Sequence, residues 1–402
     1  MVMVTVYIKD SGKFMVSKNS TQQEKIRVAI VVPKYGLVGG GERFSSKITG
    51  HLALNENFDF HVFANRWISN SNLVTFHRIP IIHFPRFLRP LAFAVLAQRM
   101  IDKSGFHIVH SHERIFRADV FSVHCTPHAC WVRDVRKKRP SLFDRSVMQI
   151  EKKMIKENSS SCFMPVSSIA QNAFTQEYSQ LPGKWRILHP GVDIEKFPLS
   201  QRKDCRRTIR QRHGIRDTDF LILFVGMNFE IKGLDTIITA VAKARSLRPE
   251  ASIRLLVVGK GNQKKFGEFA RACGIADAIT FAGTLSTSIE NYFQAADIFT
   301  MLSVFDTFGM VVLEAMASCL PVIVSSNVGA KDLIKDGING FVISHGPDPD
   351  ATAERIVHLL DKRSREQMGI EARNTSEAHS WDRLAKQVSE VYNEILLQKG
   401  GY

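Results

Sequence analysis

At 402 residues the chain exceeds the usual size of one core and its 44% hydrophobic content is ordinary for a globular protein, so two domains are expected and disorder does not dominate. No apolar run nears the roughly twenty residues that cross a bilayer, residues 1–20 lack the apolar core of a secretion signal, and six scattered cysteines form no CxxC pair; a reducing, cytoplasmic setting with free thiols is expected. The net charge of +15 is lopsided: residues 1–200 hold 28 Lys and Arg against 15 Asp and Glu, which suits an anionic partner of the first half (lipid surface, phosphorylated acceptor or nucleic acid) or simply a basic, solvated surface.

Residues 1–25 read as an extension ahead of the first core strand, 26–32, which ends at Pro33 and a glycine cluster. The pattern then predicts a helix over about 41–55, a strand at 58–64, an amphipathic stretch at 88–104, and strands at 106–110 and 120–124. A helix at 144–157, a strand at 162–166 and a helix at 169–178 capped by Ser167 or Ser168 follow. Beyond a charged stretch, 201–216, strands at 220–225, 253–258, 280–282, 298–301, 322–324 and 340–343 alternate with helices at 234–245, 264–272, 288–295, from about Gly309 onward, and 351–360. A last helix spans 381–397. This alternation implies α/β architecture with two doubly wound, Rossmann-like domains facing across a cleft. The domains are expected at 26–196 and 197–378, with a linker near 196–202 and residues 379–402 packing back toward the first domain.

Chemistry concentrates in four places. Asp306 lies just before the helix starting near Gly309 and Glu314 over one turn inside it, so the N–H groups of Gly309 and Met310 suit a phosphate held between two acids; an N-cap Asp with a solvated Glu is the plainer alternative. Lys232, in Gly226-Met227-Asn228-Phe229-Glu230-Ile231-Lys232-Gly233, sits beside another helix start, where a cation stabilises a departing diphosphate. Gly39-Gly40-Gly41 follows the first strand and lets backbone approach a phosphate or sugar, but Phe44 and Asn65 break the dinucleotide fingerprint and disfavour a dehydrogenase. His124 ends a strand where such sheets bind ligands, and can donate to a sugar hydroxyl. The nearby His107, His110, His112, Glu113, Cys125, His128 and Cys130 match no zinc spacing. Basic and aromatic residues around Arg86 to Lys103 and Trp131 to Arg139 suit a membrane surface or an ordinary amphipathic helix and charged loop.

Taken together, Gly39 to Arg43, His189-Pro190-Gly191-Val192-Asp193, Gly226 to Gly233, Val258-Gly259-Lys260-Gly261 and Asp306 to Glu314 resemble the family 4 glycosyltransferases over about residues 26–397, most closely the lipopolysaccharide-core glucosyltransferase I type. The resemblance implies the GT-B fold and transfer of a hexose, with retention, from a UDP- or GDP-linked donor, without a cofactor or bound metal. It implies that Asp306 contacts the donor sugar, Glu314 the ribose, Lys232 the phosphate, and His124 the sugar. Gly40, Gly41, Gly226, Asn228, Gly259, Phe308, Gly309, Met310 and Val311 would complete the donor site. The implied partners are a glycan or glycolipid acceptor and an anionic membrane surface, not nucleic acid. Two departures stand out: Asp306 is one methylene shorter than the commoner Glu, and Ile231 or Asn228 stands where a partner Arg is usual. A same-fold sugar-nucleotide epimerase and a non-catalytic, lipid-binding adaptor are the alternatives.

Overall fold

The computed structural model describes residues 24–37, 39–69, 71–158, 161–285, 288–344 and 346–400; nearly all of the expected 1–25 extension, and Val38 of the glycine cluster, lie outside them. Two parallel sheets organise the chain. The first contains β1 (Ile26–Val31), β2 (Phe58–Ala64), β3 (Val74–Arg78), β4 (Ile108–Ser111), β5 (Val120–Val123), β6 (Cys162–Pro165) and β7 (Lys184–Trp185), in the order β3-β2-β1-β4-β5-β6-β7. The second contains β8 (Phe220–Met227), β9 (Ile253–Lys260), β10 (Ile279–Gly283), β11 (Ile298–Met301), β12 (Val322–Ser325) and β13 (Gly340–Ile343), in the order β10-β9-β8-β11-β12-β13. Central strands such as β8 are nearly continuous apolar runs because helices cover both faces. Each sheet reverses direction beside its first strand, between β1 and β4 and between β8 and β11, and ligands of such sheets sit beyond the strand ends at that reversal.

The first lobe carries α1 (Gly40–Leu52), α2 (Arg89–Asp102), α3 (Leu142–Glu157) and α4 (Ser168–Glu177). The second carries α5 (Arg202–Arg212), α6 (Leu234–Leu247), α7 (Gln263–Ala272), α8 (Ile289–Ala295), α9 (Met310–Ala317), α10 (Pro349–His358) and α11 (Lys362–Glu377). Ser167 caps α4, and Ser141 with Asp144 forms a reciprocal capping box on α3. The final helix, α12 (Trp381–Gln398), lies against α1: Trp381 meets the Phe44 ring at 5.5 Å, the Tyr392 hydroxyl lies 2.6 Å from His110 Nδ1, and Glu394 takes both arms of Arg186 at 2.8 and 2.7 Å. Among the described residues no helix is long and apolar enough to cross a membrane.

Strands β3 and β7 and helices α5 and α11 go beyond the sequence reading, β7 because it is only two residues long. Strand β3 is an edge strand with only Val74 fully buried, so it lacks the apolar signature of a core strand. Helix α5 occupies part of the charged stretch; it buries Ile209 and Arg210, the latter paired with Asp297 at 2.7 Å and with four backbone carbonyls. Helix α11 buries only Met368, Gly369, Ala372 and Ser376, too sparse a stripe to announce itself.

Candidate functional site

The loops leaving β8 and β11, the strands flanking the reversal in the second sheet, carry Lys232 and Asp306. Buried Phe229 anchors the first loop, and left-handed Gly233 (φ 70°) closes it; a Cβ there would stand 2.0 Å from the Leu302 carbonyl oxygen. Only glycine allows that approach, which lays the loop on the backbone leaving β11 and sets the Lys232 ammonium against the Asp306 carboxylate as an ion pair. The N-cap of α9 is Gly309 (φ 84°), not Asp306. Asp306 Oδ1 accepts from the Phe308 N–H at 3.1 Å and Oδ2 faces Lys232, while Asp306 N and O are pinned to Asn327 and Gly329 at 3.0 Å each.

Glu314, on the second turn of α9, is no solvated helix residue. Its side chain is 4% exposed and meets Arg43 Nη1, from α1 of the opposite lobe, at 2.5 Å. Burial pushes its pKa up, and the Arg43 guanidinium opposes that. The facing wall contains Gly40, Gly41 and His124. Burial drives the His124 ring down to about 4, so near pH 7 it is a neutral hydrogen-bonding group rather than a cation. Its Nε2 lies 3.1 Å from His112 Nδ1, and its carbonyl accepts from Thr307 Oγ1 at 2.8 Å. Ser167 Oγ donates to the Thr307 carbonyl at 2.5 Å, and Asp332 accepts from Ser168 N at 2.6 Å, so the lobes meet directly beside the site.

Between the lobes lies a cleft of about 970 Å³ lined by Gly40, Gly41, His124, Gly226, Lys232, Gly259, Asp306, Phe308, Gly309, Met310, Val311 and Glu314. Of the site residues named from the sequence, all but Asn228 line this cleft. Asn228 is exposed and does not line the cleft; it adopts φ 65°, and its carbonyl and side-chain oxygens accept from Lys232 N at 3.2 Å and Ile231 N at 3.4 Å, so it shapes the turn that aims Lys232. Sequence reasoning missed Arg43 as a site residue, although it lies one helical turn past Gly40, and missed the apolar slot of Leu285 and Ile289 beside Gly259. The histidine-rich segment engages most of these ring nitrogens internally, His110 on Tyr392 and Ser122, His112 Nδ1 on His124 and His128 on Asp144, while His112 Nε2 is buried without a partner. Among the described residues no three His, Cys, Asp or Glu side chains are grouped to hold a metal ion.

Residues 38–196 match the family described as Glycosyltransferase Family 4, and residues 206–375 the family Glycosyl transferases group 1. The chain belongs to the family 4-like glycosyltransferases of GT-B fold. Its family relatives include the D-inositol 3-phosphate glycosyltransferase of Streptomyces scabiei, 30% identical over 58% of this chain and 54% of that protein, and an uncharacterized glycosyltransferase of Methanocaldococcus jannaschii, 25% identical over 82% and 87%. The chain spans about half the length of the D-inositol 3-phosphate enzymes it matches. In fold it is similar to WaaG, a glycosyltransferase involved in lipopolysaccharide biosynthesis, with a TM-score of 0.74 and 22% identity over 91% of this chain and 99% of WaaG. It is also similar to Anabaena HepE in complex with UDP-glucose, with a TM-score of 0.67 and 16% identity over 90% and 98%.

Proposed function

We propose that the chain transfers a hexose from a nucleoside-diphosphate sugar to a hydroxyl of a membrane-associated glycan or glycolipid, with retention at the anomeric carbon. The observation carrying this reading is the convergence of Lys232, Asp306, Glu314 and the start of α9 on one cleft wall, opposite Gly40, Gly41 and His124. In this reading Glu314 accepts from the ribose hydroxyls, Asp306 from the donor sugar, and Lys232 with the α9 N-terminus receives the diphosphate. The bond from the anomeric carbon to the phosphate oxygen breaks, its electron pair leaving with the diphosphate. The acceptor oxygen bonds to the same face of that carbon, and its proton passes to the departing phosphate. Lys232 lowers the barrier because the charge it meets grows as the bond breaks. A second cavity of about 370 Å³ in the first lobe shares Gly41 and His124 with the cleft, which supports an acceptor approach from that side in this reading.

A thermal-shift panel of UDP- and GDP-linked sugars tests the donor, since a ligand at one hundred times its dissociation constant adds roughly 2.7 kcal/mol. The stabilising donor, incubated with lipid-linked acceptors, should then yield a product whose anomeric configuration by NMR equals that of the donor. A chain that no sugar nucleotide stabilises, or that consumes donor equally with and without acceptor, overturns the reading.

A further inference from the structure

We propose that Arg43, reaching across from the first lobe, is the second cation of the diphosphate site and stands in for the arginine that the β8–α6 loop lacks. The inference rests on the nucleotide-sugar reading above. That loop brings a single cation to the cleft, Lys232, because Met227, Asn228 and Ile231 carry no charge. Lys232 set against Asp306 and Glu314 leaves the second lobe's wall one negative charge in excess, a poor host for a diphosphate. Arg43 brings the sum to zero. The other cation on the first lobe's wall, Lys47, is held by Asp193 at 2.7 Å, whereas Arg43 touches the wall that must grip the phosphates.

The geometry explains how one guanidinium serves both groups. Nη1 is fixed on Glu314 at 2.5 Å, yet 40% of the Arg43 side chain remains exposed. A guanidinium has five N–H donors, so the rest of its fork is available to phosphate oxygens between Glu314 and Lys232. Glu314, almost fully buried, needs a counter-charge and thereby holds the arginine in place. Since Arg43 rides on α1 while Lys232 and Glu314 belong to the other lobe, a bound diphosphate is gripped from both sides, and donor affinity depends on the lobes being closed.

The test titrates the full chain with UDP and GDP, and with uridine and guanosine, by ligand-observed NMR, using wild type, Arg43→Ala, Arg43→Lys, Glu314→Gln and the Arg43→Ala/Glu314→Gln double variant. Arg43→Ala is expected to weaken the preferred diphosphate roughly tenfold, the scale of one charge-assisted hydrogen bond, with the matching nucleoside nearly unaffected. Arg43→Lys should recover part of the loss. Comparing the double variant with Glu314→Gln is decisive, and it also covers the case in which Arg43→Ala alone fails to fold around an unpaired Glu314. A tenfold loss that persists without the Glu314 charge supports a direct phosphate role. Equal losses for diphosphate and nucleoside, or no loss in the Glu314→Gln background, overturn it, because Arg43 would then only neutralise Glu314. A wild-type chain that binds neither diphosphate sinks the nucleotide-sugar reading and this inference with it; one that binds, with Arg43→Ala indifferent, sinks this inference alone.

Discussion

Lys232 and Asp306 are each about one-fifth exposed, so their pairing is neither a surface contact that salt would erase nor a dry interior pair. A ligand phosphate can reach the ammonium without unfolding the loop. Lys232→Ala should therefore lower kcat roughly 10²- to 10³-fold, the range for removing one oriented donor to a developing anion, while circular dichroism stays native. Steady-state kinetics with the preferred donor checks this. His110 shows a different consequence of position. Fully buried between Tyr392 and Ser122, its ring is pushed down to about 3 by burial first and then by nearby His124. An unfolded histidine titrates near 6.5, so the unfolded chain binds that proton first. Its contribution is intact above about pH 6.5 and is lost as pH falls toward 3, at up to about 1.4 kcal/mol per unit. Urea unfolding between pH 7 and 5 should show that slope, and His110→Gln should reduce it by one proton's share. The acids and Lys232 were legible because they flank helix starts within short segments. Arg43 was not, because its partner is assembled only when the two lobes face each other.

At the level of elements, the site depends on α9 starting where it does. Gly309 is left-handed, and a Cβ on it would stand 2.5 Å from Met301 Cε and 3.1 Å from Val328 Cγ1, so Gly309→Ala strains the backbone and crowds the core together. The cost should be about 1 to 3 kcal/mol by urea unfolding, and donor affinity should fall as the helix start shifts. Ser141→Ala provides the contrast: it breaks the α3 capping box for about 1 kcal/mol and, lying away from the cleft, leaves donor affinity unchanged. Such glycines also explain what the sequence disclosed of the fold. Strands buried on both faces and helices bounded by Gly or Ser are visible as strings, so the βα alternation could be read directly. Elements whose stability comes from neighbours could not. Helix α5 is held by Arg210 reaching Asp297 and the Ala295 carbonyl, contacts that a charged string does not reveal.

For the whole molecule, part of the positive charge of the first half is exposed beside apolar side chains of the first lobe. The turn Arg86–Leu88 packs against α3, whose first residues Leu142 and Phe143 are exposed, and Phe84, Phe87 and Leu91 are exposed on the same lobe. Arg86, Lys137, Lys138 and Arg139 are exposed as well. Apolar rings flanked by cations suit the boundary of an anionic bilayer, where each cation contributes about 1 kcal/mol and the rings add burial. A glycolipid acceptor reaches a cleft enzyme most readily when the enzyme sits on the surface that holds it, because both then diffuse in two dimensions. Liposome flotation should therefore show binding that rises with the anionic lipid fraction and weakens with salt. Phe84→Ser with Phe87→Ser should reduce flotation and raise KM for lipid-linked acceptor several-fold, leaving KM for a soluble acceptor analogue unchanged, since neither residue lines the cleft. Lys137→Glu with Lys138→Glu should reproduce the loss and remove its salt dependence. Flotation that is indifferent to anionic lipid would leave the basic half of the chain as an ordinary solvated surface and detach acceptor choice from membrane docking.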